Sequence, residues 1–254
     1  MVTFNLASPR RIAAFAAFVF VSHLPLASPM FAGTPAGNGR CSAQIDEAQV
    51  LIKAGKNEEA REVLTLAIQA CTPPKSVDEK KSLAVAHTKL GVLLYDQSAA
   101  QSLFHSRKAM DLDPDNVRSS LNAGAALIKL GQYKEAISIL EAAIKHGTED
   151  TDVGFKLEYN AGFAFTRLCV EVGVANCDAV RGEQHFLRAS EVNPGIADTY
   201  FQLAAFANDF HRDSRRAMQL FKKSCDLGEE AGCFQYNAFK AQFDALEQRK
   251  QKNH

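Results

Sequence analysis

Tryptophan is missing from this 254-residue chain, and so is net charge, because 29 basic side chains balance 29 acidic ones. No global field draws the chain to nucleic acid or to an anionic membrane, and the basic footprint of a nucleic-acid binder is missing. No Cys-x2–4-Cys pair occurs and no histidine cluster completes one, so the six cysteines do not read as a structural zinc site. A phosphate loop, a dinucleotide fingerprint, a nucleophile elbow and a His-Glu-x-x-His run are absent as well. The sequence therefore predicts no enzyme, no cofactor and no metal. Asn-x-Ser/Thr acceptors are also lacking, which fits a bacterial envelope.

The histidines reinforce this picture. His23 and His254 lie near the two ends, while His87, His105, His146, His185 and His211 are scattered. They show no shared face with carboxylates and read as surface or groove residues. Asp111, Asp113 and Asp115 read as turn and cap chemistry rather than acid–base machinery or calcium ligation.

At the N-terminus, Arg10 and Arg11 precede an apolar run from Ile12 to Val21, which Ser22, His23 and Pro25 interrupt. Small residues follow at Ala27, Ser28, Ala32, Gly33 and Ala36. A charged start, a short apolar stretch and a small-residue exit mark a secretory signal peptide over 1–36, cleaved within 27–36. A membrane span needs about 20 apolar residues, although an uncleaved anchor is the rival reading. Arg40 before Cys41 argues against lipidation.

The cysteines fall into three pairs by position. Cys41 and Cys71 bracket a first helical hairpin, whose antiparallel helices bring those two ends together. Cys169 and Cys177 are eight apart, as are Cys225 and Cys233. Eight residues of unbroken helix would separate the α-carbons by about 12 Å, beyond disulfide reach. Each short pair must flank a turn if it bridges, and Gly173 and Gly228 lie between the partners. Buried free thiols are the ordinary alternative; three disulfides predict an oxidising, secreted or periplasmic location.

The chain also repeats itself. Its clearest unit runs from Asn122 through Gly124, Leu127, Gly131 and Tyr133 to Ala136, Leu140 and Ala143. A small residue recurs at Ala48, Gly91, Gly124, Gly162 and Ala204, and a second small position at Ala67, Ala109, Ala143, Ala189 and Ser224. Three residues before the second stands a bulky side chain, Leu64, Leu140, Phe186 or Phe221, but Ser106 in the second unit. Small residues let crossing helices approach, and large ones fill the space opposite. Such periodicity predicts a stacked array rather than one globular core.

These residues resemble the tetratricopeptide repeat family over most of 41–233. The resemblance implies an all-α solenoid of about five helical hairpins. The polar stretch 75–82 reads as a joint between the first two units. Residues 234–254 read as a C-terminal capping helix with a charged tail. Phe221 to Cys233 further resembles the cysteine-rich Sel-type relatives, in which a Cys-x7-Cys pair staples one repeat to the next. That second resemblance implies an alternative role in binding a cell-wall or β-lactam-type small molecule. Self-association through the array ends is a third reading.

Two adjacent units carry a matching polar face. Arg118, Asn122 and Lys129 correspond to Lys156, Asn160 and Arg167 at a constant offset of 38, and spacings of four and seven put each trio on one helix face. In the family resembled, that face lines the concave groove, the Asn bonds a peptide backbone and basic neighbours clamp carboxylates. Leu121 and Tyr159 are expected to add apolar contact. The flanking units offer Val85, Lys89 and Asp96, and Asp198, Gln202 and Asp209, so the basic centre is expected to favour an acidic segment or a free C-terminus. An ordinary solvated helix face accounts for the same pattern. The expected role is a non-catalytic scaffold or adaptor that binds a protein or peptide, not nucleic acid, with no stable membrane span once the signal is removed.

Overall fold

Six helix starts are fixed by short polar side chains. Ser76, Ser98, Asn116, Asp150, Asp178 and Asp213 each accept a hydrogen bond from the backbone N–H three residues on, which satisfies a donor the helix itself cannot. Glycines with φ between 74° and 98° at Gly55, Gly131, Gly147, Gly173 and Gly228 stand in the turns, where a side chain would be strained.

The computed structural model describes residues 38–252; the expected signal peptide over 1–36 lies outside them. Among the described residues there are eleven α-helices: α1 (Asn38–Lys53), α2 (Asn57–Ala70), α3 (Val77–Leu94), α4 (Ala99–Leu112), α5 (Val117–Lys129), α6 (Tyr133–His146), α7 (Thr151–Val172), α8 (Ala179–Val192), α9 (Ala197–Asp209), α10 (Ser214–Asp226) and α11 (Glu230–Lys252). A short 3-10 turn, Val174–Asn176, follows α7. Five antiparallel hairpins pair α1 with α2, α3 with α4, and so on to α9 with α10, and α11 packs on α10. First helices also pack side by side from α1 through α3 and α5 to α7, whereas successive second helices approach one another less and meet through polar side chains such as Arg107 with Glu135. The first helices therefore form the inner row. No helix among the described residues is long and apolar enough to cross a membrane.

The interlock expected from the repeats is present in four of the five hairpins. Leu140 packs so tightly on Gly124 that a Cβ there would lie 2.5 Å from its side chain. On Gly162 a Cβ would lie 2.9 Å from the Phe186 ring. Ala48 shares a fully buried cluster with Leu64, and Ala204 shares one with Phe221. The second hairpin is the exception: Gly91 meets the Ser106 hydroxyl, and no large side chain fills the crossing.

All three expected disulfides are present, with α-carbons 6.0, 5.2 and 4.4 Å apart. Cys41–Cys71 closes the first hairpin. Cys169–Cys177 spans the Gly173 turn, and Cys225–Cys233 ties α10 to α11 across Gly228. The supposed joint at 75–82 is corrected. Ser76 caps α3, and Val77 onward is its first turns, because Glu79 donates its backbone N–H to Ser76 Oγ and is itself buried.

Three histidines also differ from expectation: His87 is buried, and His185 and His211 hold carboxylates. His185 is buried, with Nδ1 2.6 Å from Glu158 and Nε2 3.2 Å from Glu141, and Arg188 Nε donates to both Glu158 oxygens at 3.1 Å. This knot joins α6, α7 and α8. His211 and Arg216 hold Glu183 in the same way, at 2.9 and 2.5 Å, and link α8 to α10. Their carboxylate partners sit on neighbouring helices, far away in sequence.

Gly124→Ala should cost about 1–3 kcal/mol by overpacking, measured by urea unfolding. Gly124→Ala with Leu140→Ala should lose less than the sum of the two single losses, since the smaller partner makes room; strict additivity would contradict the interlock. Replacing Cys41 and Cys71 by alanine should cost about 3–4 kcal/mol, the chain-entropy value for a loop of this length.

Candidate functional site

The inner row carries a cavity of about 450 Å³ where α1, α3 and α5 meet. Gln49 and Ile52 come from α1. Val85, Thr88, Lys89, Val92 and Leu93 come from α3, and Arg118 and Asn122 from α5, with Asn116 at its N-cap. Val85 and Val92 are 36% and 56% exposed, so the apolar patch is open to a ligand. Asn122 Nδ2 donates a long, 3.4 Å bond to the Thr88 carbonyl. Asn116 Nδ2 reaches the Thr88 hydroxyl at 3.4 Å, and Thr88 in turn contacts the Ser119 hydroxyl at 2.9 Å.

Lys89 is the electrostatic focus. Its ammonium donates to Gln49 Oε1. Burial lowers its pKa first, followed by repulsion from Arg118, with Lys53 adding to the effect and Asp46 opposing it. A partly desolvated ammonium beside a guanidinium is a place where an incoming carboxylate gains from both. Arg118 is exposed and pairs with Asp150, the N-cap of α7. The Val153 N–H, with Arg118 assisting, holds the Asp150 carboxyl below the usual range.

The rest of the expected face is largely engaged within the array. Lys129 donates to the carbonyls of Tyr95 and Asp96 at 3.0 and 3.4 Å and lies 4.4 Å from the centroid of the Tyr95 ring. It thus neutralises the carbonyl end of α3. Lys156 pairs with Asp152 at 2.7 Å on its own helix. Arg167 reaches the Tyr133 hydroxyl at 3.4 Å. Asn160 is half-buried and makes no side-chain hydrogen bond among the described residues.

The expected apolar contacts are corrected. Leu121 is buried in the core with Leu127 and Leu140. Tyr159 packs edge-on against Phe186, and its hydroxyl donates to Asp198. Burial and the Asp198 carboxylate push that hydroxyl well above its ordinary pKa. Neither side chain faces a ligand freely; Val85 and Val92 supply the apolar surface instead. The repeat comparison placed Val85 opposite Arg118 and Lys89 opposite Asn122 in the preceding unit. The apparent break in the basic pattern is part of the cavity lining. Among the described residues no group of three His, Cys, Asp or Glu is placed to hold a metal ion.

Residues 93–154 match the family model described as tetratricopeptide repeat. No curated protein matches the sequence. Among solved structures, a double mutant of MamA (RS-1) superposes with a TM-score of 0.59 at 21% identity, covering 76% of this chain and 96% of that one. PilF of Pseudomonas aeruginosa gives 0.59 at 18%, covering 85% and 100%. YrrB, described as a tetratricopeptide-repeat protein with an unusual peptide-binding site, gives 0.56 at 19%, covering 78% and 90%. At these identities the likeness establishes the fold. Residues 93–154 are tetratricopeptide-repeat sequence, set in a helical solenoid of the same fold.

Proposed function

We propose that the chain is an exported, non-catalytic adaptor that takes an extended segment of a partner protein along its inner row of helices. The observation that carries this reading is the cavity between α1, α3 and α5, where Lys89 and Arg118 stand over an apolar floor of Val85, Val92 and Ile52. Ammonium, guanidinium and amide groups above exposed valines suit a ligand with a carboxylate next to an apolar side chain. An acidic segment or a free C-terminus supplies both. Asn122 and Asn160, one unit apart on the same face, are suited to bond the ligand backbone as it runs on towards α7. The groove is built from packed helices, so the ordering cost of docking falls mainly on the ligand. The peptide-binding description of YrrB supports assigning the same class of work to this fold.

Export rests on the three disulfides, which persist in oxidising compartments, and on the signal-like segment over 1–36.

Panning a random peptide library with free C-termini against the purified chain tests the assignment. Enriched sequences should end in a carboxylate adjoining an apolar residue, and amidation should weaken them. Lys89→Met, or Asn122→Ala with Asn160→Ala, should reduce affinity about tenfold or more, the scale of one charge-assisted hydrogen bond. A library that yields no enriched sequence, or peptides the variants bind equally well, would refute it.

Lys89 should also reveal a stability cost of the site. Lys89→Met relieves the repulsion from Arg118 and Lys53, so its Tm should be no lower than that of the wild type. A clear drop would mean that the ammonium is a structural tie to Gln49 rather than a ligand group.

A further inference from the structure

His87 of α3 and His105 of α4 face each other across the second hairpin, with their Nδ1 atoms 2.9 Å apart and ring centroids 5.1 Å apart. His87 is buried and His105 half-buried. Two imidazoles in this arrangement share one Nδ1 proton, one ring donating and the other accepting. A first added proton settles on the remote Nε2 of the donor ring and leaves the bond intact. A second has only the accepting Nδ1, which sets N–H against N–H and charge against charge. Burial, then His105, then Lys108 lower the His87 pKa from 6.5 to about 4, and burial lowers that of His105.

The pair sits in the hairpin that lacks the bulky interlock. Gly91, one turn beyond His87, meets Ser106, the neighbour of His105, where four other hairpins have leucine or phenylalanine. Small residues bring α3 and α4 close at this crossing, and the imidazole bond is a polar tie between the two helices beside it. The same helix α3 carries Val85, Lys89 and Val92, the central wall of the cavity.

We propose that the His87–His105 pair is an acid-sensitive latch on the groove, whose double protonation parts α3 from α4 and releases the bound segment. The release rests on the peptide-binding reading above; the parting of the helices does not. The charges that act on His87 are His105 and Lys108, both from α4. From α1 and α5, Asp46, Lys53 and Arg118 act instead on Lys89 at the groove. From α2, Glu58, Arg61 and Glu62 line the outer notch that His105 borders, and none of them is among the groups acting on His87. The folded state holds His87 below its ordinary value. Its contribution to stability is therefore present above about pH 6.5 and is lost as pH falls towards 4.

Hydrogen–deuterium exchange of the ligand-free full chain tests the latch. After correction for intrinsic rates, α3 and α4 should exchange about tenfold faster or more at pH 4 than at pH 7, and α5 and α6 should change less than about threefold. His105→Asn keeps an N–H donor near the Nδ1 position and cannot charge, so its acid response in α3 and α4 should shrink to about threefold or less. An equal response in wild type and variant, or one spread evenly over all hairpins, overturns the latch. Should the variant fail to fold, nitrogen NMR titration of the wild-type rings decides. His87 taking its proton below about pH 5, after His105, supports the latch, and both rings titrating together near their ordinary value overturns it. Because no ligand enters, these outcomes are separate from those of the library selection.

Discussion

Four of the five hairpins depend on one steric relation, a side chain that is small or absent on one helix and large on the other. Leu140 on Gly124 and Phe186 on Gly162 leave no room for even a methyl group, so the helices can cross in only one register. Close crossing fixes the spacing of the first helices, and that spacing sets the inner row and its cavity. In the second hairpin the small residues Gly91 and Ser106 meet instead, and the His87–His105 pair lies beside that crossing.

Stacked repeats need an end. Aligning Phe234-Gln235 with Phe201-Gln202 places Asn237 and Lys240 of α11 where α9 has Ala204 and Ala207. Those alanines are buried against the second helix of their hairpin, whereas Asn237 and Lys240 are exposed. A sixth hairpin cannot form on that surface without burying an amide and an ammonium, so α11 closes the array. The disulfides tie the first hairpin, the turn after the long α7, and the junction of α10 with α11.

Much of this was legible in the sequence because it is local and periodic. Small and bulky positions at a fixed spacing gave the five hairpins, and the eight-residue cysteine spacing required a turn between partners. The groove was less legible. Comparing helix faces at an offset of 38 finds Lys129 and Arg167 but not what the neighbouring helix offers them, and Lys129 caps the carbonyl end of α3. The cavity leaves no mark in the sequence because its floor is apolar, and valines on a helix face carry no sign of whether the next unit covers them. Leu121 adjoins Asn122 in sequence, yet one position of helical rotation turns it to the core. The histidine pairs depend on neighbouring helices, which no spacing within one helix reveals.

The packed inner row presents Lys89 and Arg118 beside exposed Val85 and Val92, the surface proposed to hold a ligand. Chemical-shift mapping of the 15N-labelled protein with a bound peptide tests it most directly. The largest shifts should fall on Gln49, Val85, Lys89, Val92, Arg118 and Asn122, while Leu66 and Phe104 on the outer helices stay unchanged. Shifts centred on Leu66 and Phe104, with the inner row silent, would contradict the account.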